Sequence, residues 1–218
     1  MIQIKTFTHN PFQENTYLLW DETKAAVLID PGSYSDVEKN EVVQFIVENH
    51  LQVEKMICTH GHVDHILGSS YFGDLFSLSL EYHPEEKHLI DHAADFAASY
   101  GFDFNQMPYL APILMDQGTV RFGESSLDVI HVPGHSAGSV AFYSEKDKIL
   151  ISGDVLFKQT IGRTDLPGGD YDVLMQSITQ KLLSLPADTK VYPGHGPSTS
   201  IAEEMEQNDF ISDFLNKA

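Results

Sequence analysis

One junction restricts this chain more than any other. The strand-like run Val53–Cys58 leads straight into Thr59-His60-Gly61-His62-Val63-Asp64-His65. Four side chains that can ligate a metal, His60, His62, Asp64 and His65, fall within six residues. A turn after a strand can aim residues two apart at one point. Asp64 and His65, opening the next segment, can reach a second point nearby. Imidazole and carboxylate are ligands that suit zinc, iron or manganese. A fold that contains this junction must bring a buried strand end up to a polar cleft.

Three further candidates sit at strand ends with glycine beside them. His135 lies in Val132-Pro133-Gly134-His135-Ser136, Asp154 in Ser152-Gly153-Asp154 and His195 in Gly194-His195-Gly196. Several strand ends feeding one site is how open sheets commonly build a cleft, and glycine lets the backbone turn sharply there. The chain has 11 histidines, so most need a plainer explanation. His9, His50, His83, His88, His92 and His131 read as ordinary surface or core residues. Cys58 reads as a packed strand residue.

The rest of the pattern alternates strands with helices. Strands are expected at Ile2–Phe7, Thr16–Trp20 and Ala25–Asp30, then near Leu75–Tyr82, Thr119–Phe122, Ser125–His131, Ser139–Tyr143, Lys148–Ser152 and Lys190–Tyr192. Val37, Val42, Phe45 and Ile46 predict a helix up to His50. Further helices are expected from Pro84, over Tyr171–Leu185 and from about Ser200. Strands and helices in both halves predict an α+β fold of two packed sheets covered by helices. With no linker and no repeat, residues 1–218 read as a single domain. The aromatic-rich stretch Tyr100–Pro112 reads as ordinary packing, with Phe102, Phe104, Met107 and Tyr109 as an alternative wall of the cleft.

Composition excludes some partners. The chain carries 13 Lys+Arg against 32 Asp+Glu, formally −19. Such a surface repels phosphate backbones and argues against nucleic acid. No apolar run approaches a membrane span, and the opening residues lack a secretory pattern. A single cysteine fits a reducing cytosol, so a cytoplasmic location is expected.

His60-Gly61-His62-Val63-Asp64-His65, Gly134-His135-Ser136, Gly153-Asp154 and Gly194-His195-Gly196 together resemble the metal motifs of the metallo-β-lactamase superfamily, in the family's order. The stretch from Asp154 through Gly162-Arg163-Thr164-Asp165 resembles its glyoxalase II branch, the hydroxyacylglutathione hydrolases, in their short single-domain form. The resemblance implies a four-layer αββα sandwich and two divalent ions, zinc first, with iron or manganese as alternatives. His60, His62 and His135 would hold one ion and Asp64, His65 and His195 the other, with Asp154 bridging both. The implied reaction is hydrolysis of a small-molecule thioester of the S-lactoylglutathione type by a metal-bridged hydroxide. Asp64 would also orient that hydroxide.

Departures from the family bear on the substrate. Long glyoxalase II enzymes carry a C-terminal helical extension that grips glutathione, and this sequence stops about where it would begin. They place a tyrosine where this chain has Pro197, and a substrate-binding lysine where it has Arg163. Arg163 could therefore bind a substrate carboxylate, or it could shape its loop by pairing with Asp165 or Asp170. Related branches fit less well. Cysteine-ligand zinc β-lactamases have Cys at the Asp154 position, flavodiiron proteins Glu at His62, and quorum-type lactonases Tyr at Phe157. The nearest alternative is a mononuclear-iron persulfide dioxygenase, which shares the hexapeptide and Gly162-Arg163-Thr164-Asp165. A non-catalytic metal-binding protein would require a degraded set of ligand positions, and all seven are filled.

Overall fold

In the computed structural model, residues 1–104, 109–112 and 118–216 are described. Three antiparallel strands open the chain: β1 (Gln3–His9), β2 (Glu14–Trp20) and β3 (Ala25–Ile29). Helix α1 (Asp36–Glu48) then crosses over, so that β4 (Gln52–Ile57) lies parallel to β3. Ser35 starts this helix with a reciprocal capping box to Glu38, which satisfies two otherwise unpaired amide donors. Past β4 come the histidine loop, α2 (Ser69–Phe76), β5 (Leu80–Glu81), α3 (Lys87–Asp91), α4 (Ala93–Ser99) and β6 (Leu110–Ala111). The first sheet runs β1-β2-β3-β4-β5-β6.

The second half builds a matching sheet. It contains β7 (Thr119–Phe122), β8 (Ser125–His131), β9 (Val140–Ser144) and β10 (Ile149–Gly153). A small hairpin follows, β11 (Leu156–Phe157) with β12 (Thr160–Ile161). Helix α5 (Tyr171–Gln176) runs on through a π-helical stretch, Ser177–Leu182. β13 (Lys190–Pro193), β14 (Thr199–Ser200), α6 (Ile201–Gln207) and α7 (Asp209–Leu215) complete it. The order is β14-β13-β10-β9-β8-β7, with β13 parallel to β10.

Strand periodicity explains the layering, since alternate residues face opposite sides. Tyr17, Leu19, Val27 and Ile29 pack against Val129, Phe142 and Ile151 between the sheets. Their neighbours Leu18, Trp20, Ala26 and Leu28 meet Val42 and Ile46 of α1 on the outer face. On the other side, Ala141, Tyr143 and Leu150 meet Leu174, Ile178, Ile201 and Ile211 from the C-terminal helices. The layers are therefore helix, sheet, sheet, helix, as expected. Among the described residues no helix is long and apolar enough to cross a membrane.

Two local expectations need correction. The segment expected as a strand near Leu75–Tyr82 begins in the last two residues of α2, and only Leu80–Glu81 pairs. The alternation Phe76-Ser77-Leu78-Ser79-Leu80 imitates a strand but straddles a helix end, where Ser77 takes a left-handed conformation (φ 57°). The helix expected from Pro84 begins as a 3₁₀ turn and is broken at His92. The aromatic stretch, read first as packing, divides: Tyr100 lines the cleft, whereas Phe102, Phe104 and Tyr109 do not. Phe104 lies in the core with Phe102 packed against it, and Met107 falls outside the described residues.

Candidate metal centre

Four connections at one edge of the sandwich carry the candidate ligands. His60, His62, Asp64 and His65 follow β4, His135 lies between β8 and β9, Asp154 follows β10 and His195 follows β13. Hydrogen bonds from β2 fix the last of these loops. The Asn15 amide N–H donates to the Gly194 carbonyl (2.7 Å) and the Tyr17 hydroxyl to the Pro193 carbonyl (2.6 Å). Glycine is required at two points. A side chain at Gly194 would collide with the Asp154 carboxylate, and Gly134 (φ 125°) lies against the Leu174 backbone.

The seven side chains converge as two overlapping sets. His60 Nε2, His62 Nδ1 and His135 Nε2 lie 2.9–3.3 Å apart, with the three rings nearly perpendicular to one another. The other set is mixed. His195 Nε2 lies 3.2 Å from Asp64 Oδ2 and 3.5 Å from Asp154 Oδ2, and His65 Nε2 lies 3.4 Å from Asp154 Oδ1. Asp154 stands between the sets, with Oδ2 3.7 Å from His135 Nε2. Among the groups that could hold an ion are His60/His62/His135, Asp64/His65/His195, a linking His60/His65/Asp154 and, behind His65, Glu14/Asp30/His65.

Hydrogen bonds behind the cluster set the tautomers. His135 Nδ1 faces the Arg163 carbonyl (2.8 Å) and His195 Nδ1 the Phe12 carbonyl (3.1 Å), so both must carry the proton there. His65 Nδ1 faces Asp30 Oδ2 (3.1 Å). The Thr59 hydroxyl gives its proton to Asp30 (2.8 Å), leaving its oxygen to accept from His60 Nδ1 (3.0 Å). With Nδ1 so engaged, each of these imidazoles turns its Nε2 inward. Converging lone pairs repel unless a cation lies among them, and His65 Nε2 and Asp154 Oδ1 are buried with no hydrogen-bond partner. Bonds of about 2.0–2.1 Å from a tetrahedral ion put neighbouring nitrogens about 3.3 Å apart, close to the spacing of the three-imidazole set. The residues present fit divalent ions.

Electrostatics divide the two sets. Burial, and then the surrounding imidazoles, push His60 well below its ordinary pKa, and burial with His135 pushes His62 down to about 4. Both are thus neutral donors. Burial would depress His65 and His195 too, but Asp154 and Asp64 outweigh it; His65 is held well above its usual value and His195 at about 9. Burial opposes ionisation of Asp154, yet His65 and His195 hold it well below the carboxylate range. Protons on this set are the ones that a cation would displace.

Three supporting carboxylates escaped the sequence reading. Asp30, in a strand-end Asp-Pro-Gly taken only as a turn, accepts from Thr59 N (2.6 Å) and orients His65. Glu86 is fully buried and accepts from Gly61 N and Gly138 N, both at 2.6 Å, tying the His60 loop to the His135 loop. Glu14 is also fully buried, and burial raises its pKa well above normal. His83 and His131, with Glu85, form another group able to hold an ion, but their rings stack almost parallel (14°) and do not aim at one point.

A cleft of about 320 Å³ opens over the cluster, with His62, Asp64, His135, Asp154 and His195 on its floor. Arg163 lines it, but its Nε and Nη2 also hold Asp165 at 2.7 and 2.8 Å. Of the two loop partners considered for Arg163, Asp165 is the one seen; Asp170 instead caps α5.

The sequence profile of the metallo-β-lactamase superfamily matches residues 9–195. This chain belongs to the metallo-β-lactamase superfamily. It is 34% identical over 208 residues to the hydroxyacylglutathione hydrolase GloC of Haemophilus influenzae, covering 92% of this chain and 94% of that one. The structure of the B3 metallo-β-lactamase BLEG-1 superposes with a TM-score of 0.85 at 36% identity, covering 96% of this chain and all of that one. TTHA1623 in a di-iron-bound form superposes at 0.84 and 35% identity, covering 94% and 99%. The αββα sandwich is therefore the metallo-β-lactamase fold, a metallo-hydrolase scaffold that implies divalent-metal binding.

Proposed function

We propose that the chain is a dinuclear metallohydrolase of small-molecule thioesters of the S-acylglutathione type. One divalent ion would sit among His60, His62 and His135, the other among Asp64, His65 and His195, with Asp154 shared and zinc the first candidate. The observation that carries this reading is the convergence of seven side chains, with the outward nitrogens of His60, His65, His135 and His195 already committed to hydrogen bonds. The likeness to GloC supports the choice of substrate.

Bound ions would supply a water ionised near neutral pH and a Lewis acid for the acyl oxygen. Asp64, at the cleft floor beside His195, can accept a hydrogen bond from that water and orient it. A thiolate leaves without a proton, because a free thiol has a pKa of about 8.5. An amide nitrogen needs a proton donor, which makes a β-lactam the weaker candidate despite the likeness to BLEG-1.

Metal analysis of the purified protein, combined with turnover of S-lactoylglutathione, a β-lactam and glutathione persulfide, tests the reading. Two metals per chain with thioester hydrolysis is the expected result. One iron with oxygen uptake on the persulfide would replace it with the dioxygenase, and hydrolysis of the β-lactam alone would replace it with a lactamase.

A further inference from the structure

One wall of the cleft is built from a single helical stripe. Leu89, Ala93, Phe96 and Tyr100 recur at intervals of four, three and four from α3 through α4 to the residue that caps its end, and all four line the cleft. That is the spacing of one helix face. Leu89 and Ala93 are buried, whereas Phe96 and Tyr100 are 39% and 58% exposed, so the stripe runs from the interior to the surface. Phe12 extends it, meeting the Tyr100 ring edge to face at 5.2 Å. Large apolar side chains left open together beside a polar centre mark a binding surface.

The polar complement of the cleft is small. Among the described residues lining it, Arg163 is the one lysine or arginine, and Asp165 holds its guanidinium through two bonds. Glutathione brings two carboxylates and an ammonium, which this wall does not answer. A hydrocarbon or aryl group attached at the reacting sulfur does fit it, because each methylene removed from water there contributes about 0.8 kcal/mol.

We infer that the stripe Leu89, Ala93, Phe96 and Tyr100, with Phe12, receives the acyl group, and that the chain selects thioesters with extended apolar or aryl acyl groups over short hydroxylated ones such as lactoyl. This rests on the thioester reading above for the reaction, but not for the binding preference.

The test separates the two. Calorimetry on the metal-loaded protein compares S-hexylglutathione with S-methylglutathione, thioethers that cannot be hydrolysed. The hexyl compound should bind at least tenfold more tightly, and Phe96→Ser or Tyr100→Ser should collapse that ratio. In parallel, kcat/KM for S-hexanoylglutathione should exceed that for S-lactoylglutathione. Equal affinities, no binding of either thioether, or a ratio untouched by both substitutions would overturn the inference, whatever the turnover. A hexyl preference lost on substitution, with no thioester hydrolysed, would uphold the apolar site and remove the hydrolase reading instead.

Discussion

The three-imidazole end of the cluster and the carboxylate end are built from the same turns, yet they differ in charge. His60 and His62, which converge with His135, present neutral nitrogens, held so by burial and by neighbouring imidazoles. Asp64, His65, His195 and Asp154 form a charged network whose members fix each other's protonation. A cation at the first end meets lone pairs alone. At the second it replaces protons and cancels carboxylate charge. The two ends should therefore respond differently when a side chain is removed, and Asp154, which reaches both, should be the worst one to lose.

That ranking gives the two largest expected effects. Asp154→Ala should lower both metal occupancies and cut activity by more than about 100-fold, beyond the range for groups one step removed from a metal. Metal content by mass spectrometry and kcat on the same preparation check it; two retained metals with normal turnover would end the shared-ligand account. His62→Ala should be nearly as damaging to activity but selective in metal content. The ion at the three-imidazole end should fall away first, while the carboxylate end keeps its own. Equal loss at both ends would show that the two sets act as one site.

The legible part of this site was short-range. His60, His62, Asp64 and His65 lie within six residues, and His135, Asp154 and His195 each stand beside a glycine at a strand end. Local spacing therefore carried the candidate ligand set, and alternation along β2, β3, β9 and β10 carried the layers. Partners across the fold were not legible. Asp30 reaches His65 across 35 residues, and Glu86 reaches Gly138 across 52. Neither stands in a pattern of its own. The cleft wall was legible in principle, since Leu89, Ala93, Phe96 and Tyr100 have helical spacing. The break at His92 hides the continuity of the stripe.

Glu86 offers a gentler way to disturb the three-imidazole end alone. Its two carboxylate oxygens accept from Gly61 N and Gly138 N, so it sets how far the loop of His60 and His62 stands from that of His135. Glu86→Gln keeps the shape but turns one acceptor into a donor facing a donor. Metal affinity at that end should fall by roughly 10–100-fold, the usual cost of a misplaced supporting group. Competition with a chelator should then show one weakened ion and one unchanged. Two equally weakened ions would mean that the tie supports the whole edge.

The smallest effect belongs to Arg163, for whose side chain no contact with either end is seen. Its backbone carbonyl orients His135, which any side-chain substitution preserves, and its guanidinium is 57% exposed and paired with Asp165. Exposed pairs of this kind are weak and screened by solvent. Arg163→Ala should therefore raise KM for an anionic thioester by roughly two- to fivefold, leaving kcat and metal content near normal. Asp165→Ala decides what the cation does. If Arg163 meets a substrate carboxylate, freeing it from Asp165 should lower KM, opposite in sign to its own removal. If the pair only props the loop, both substitutions should act alike, lowering melting temperature and kcat together. KM, kcat and melting temperature measured on both variants separate these outcomes, because only substrate contact predicts opposite signs for the two partners of one ion pair.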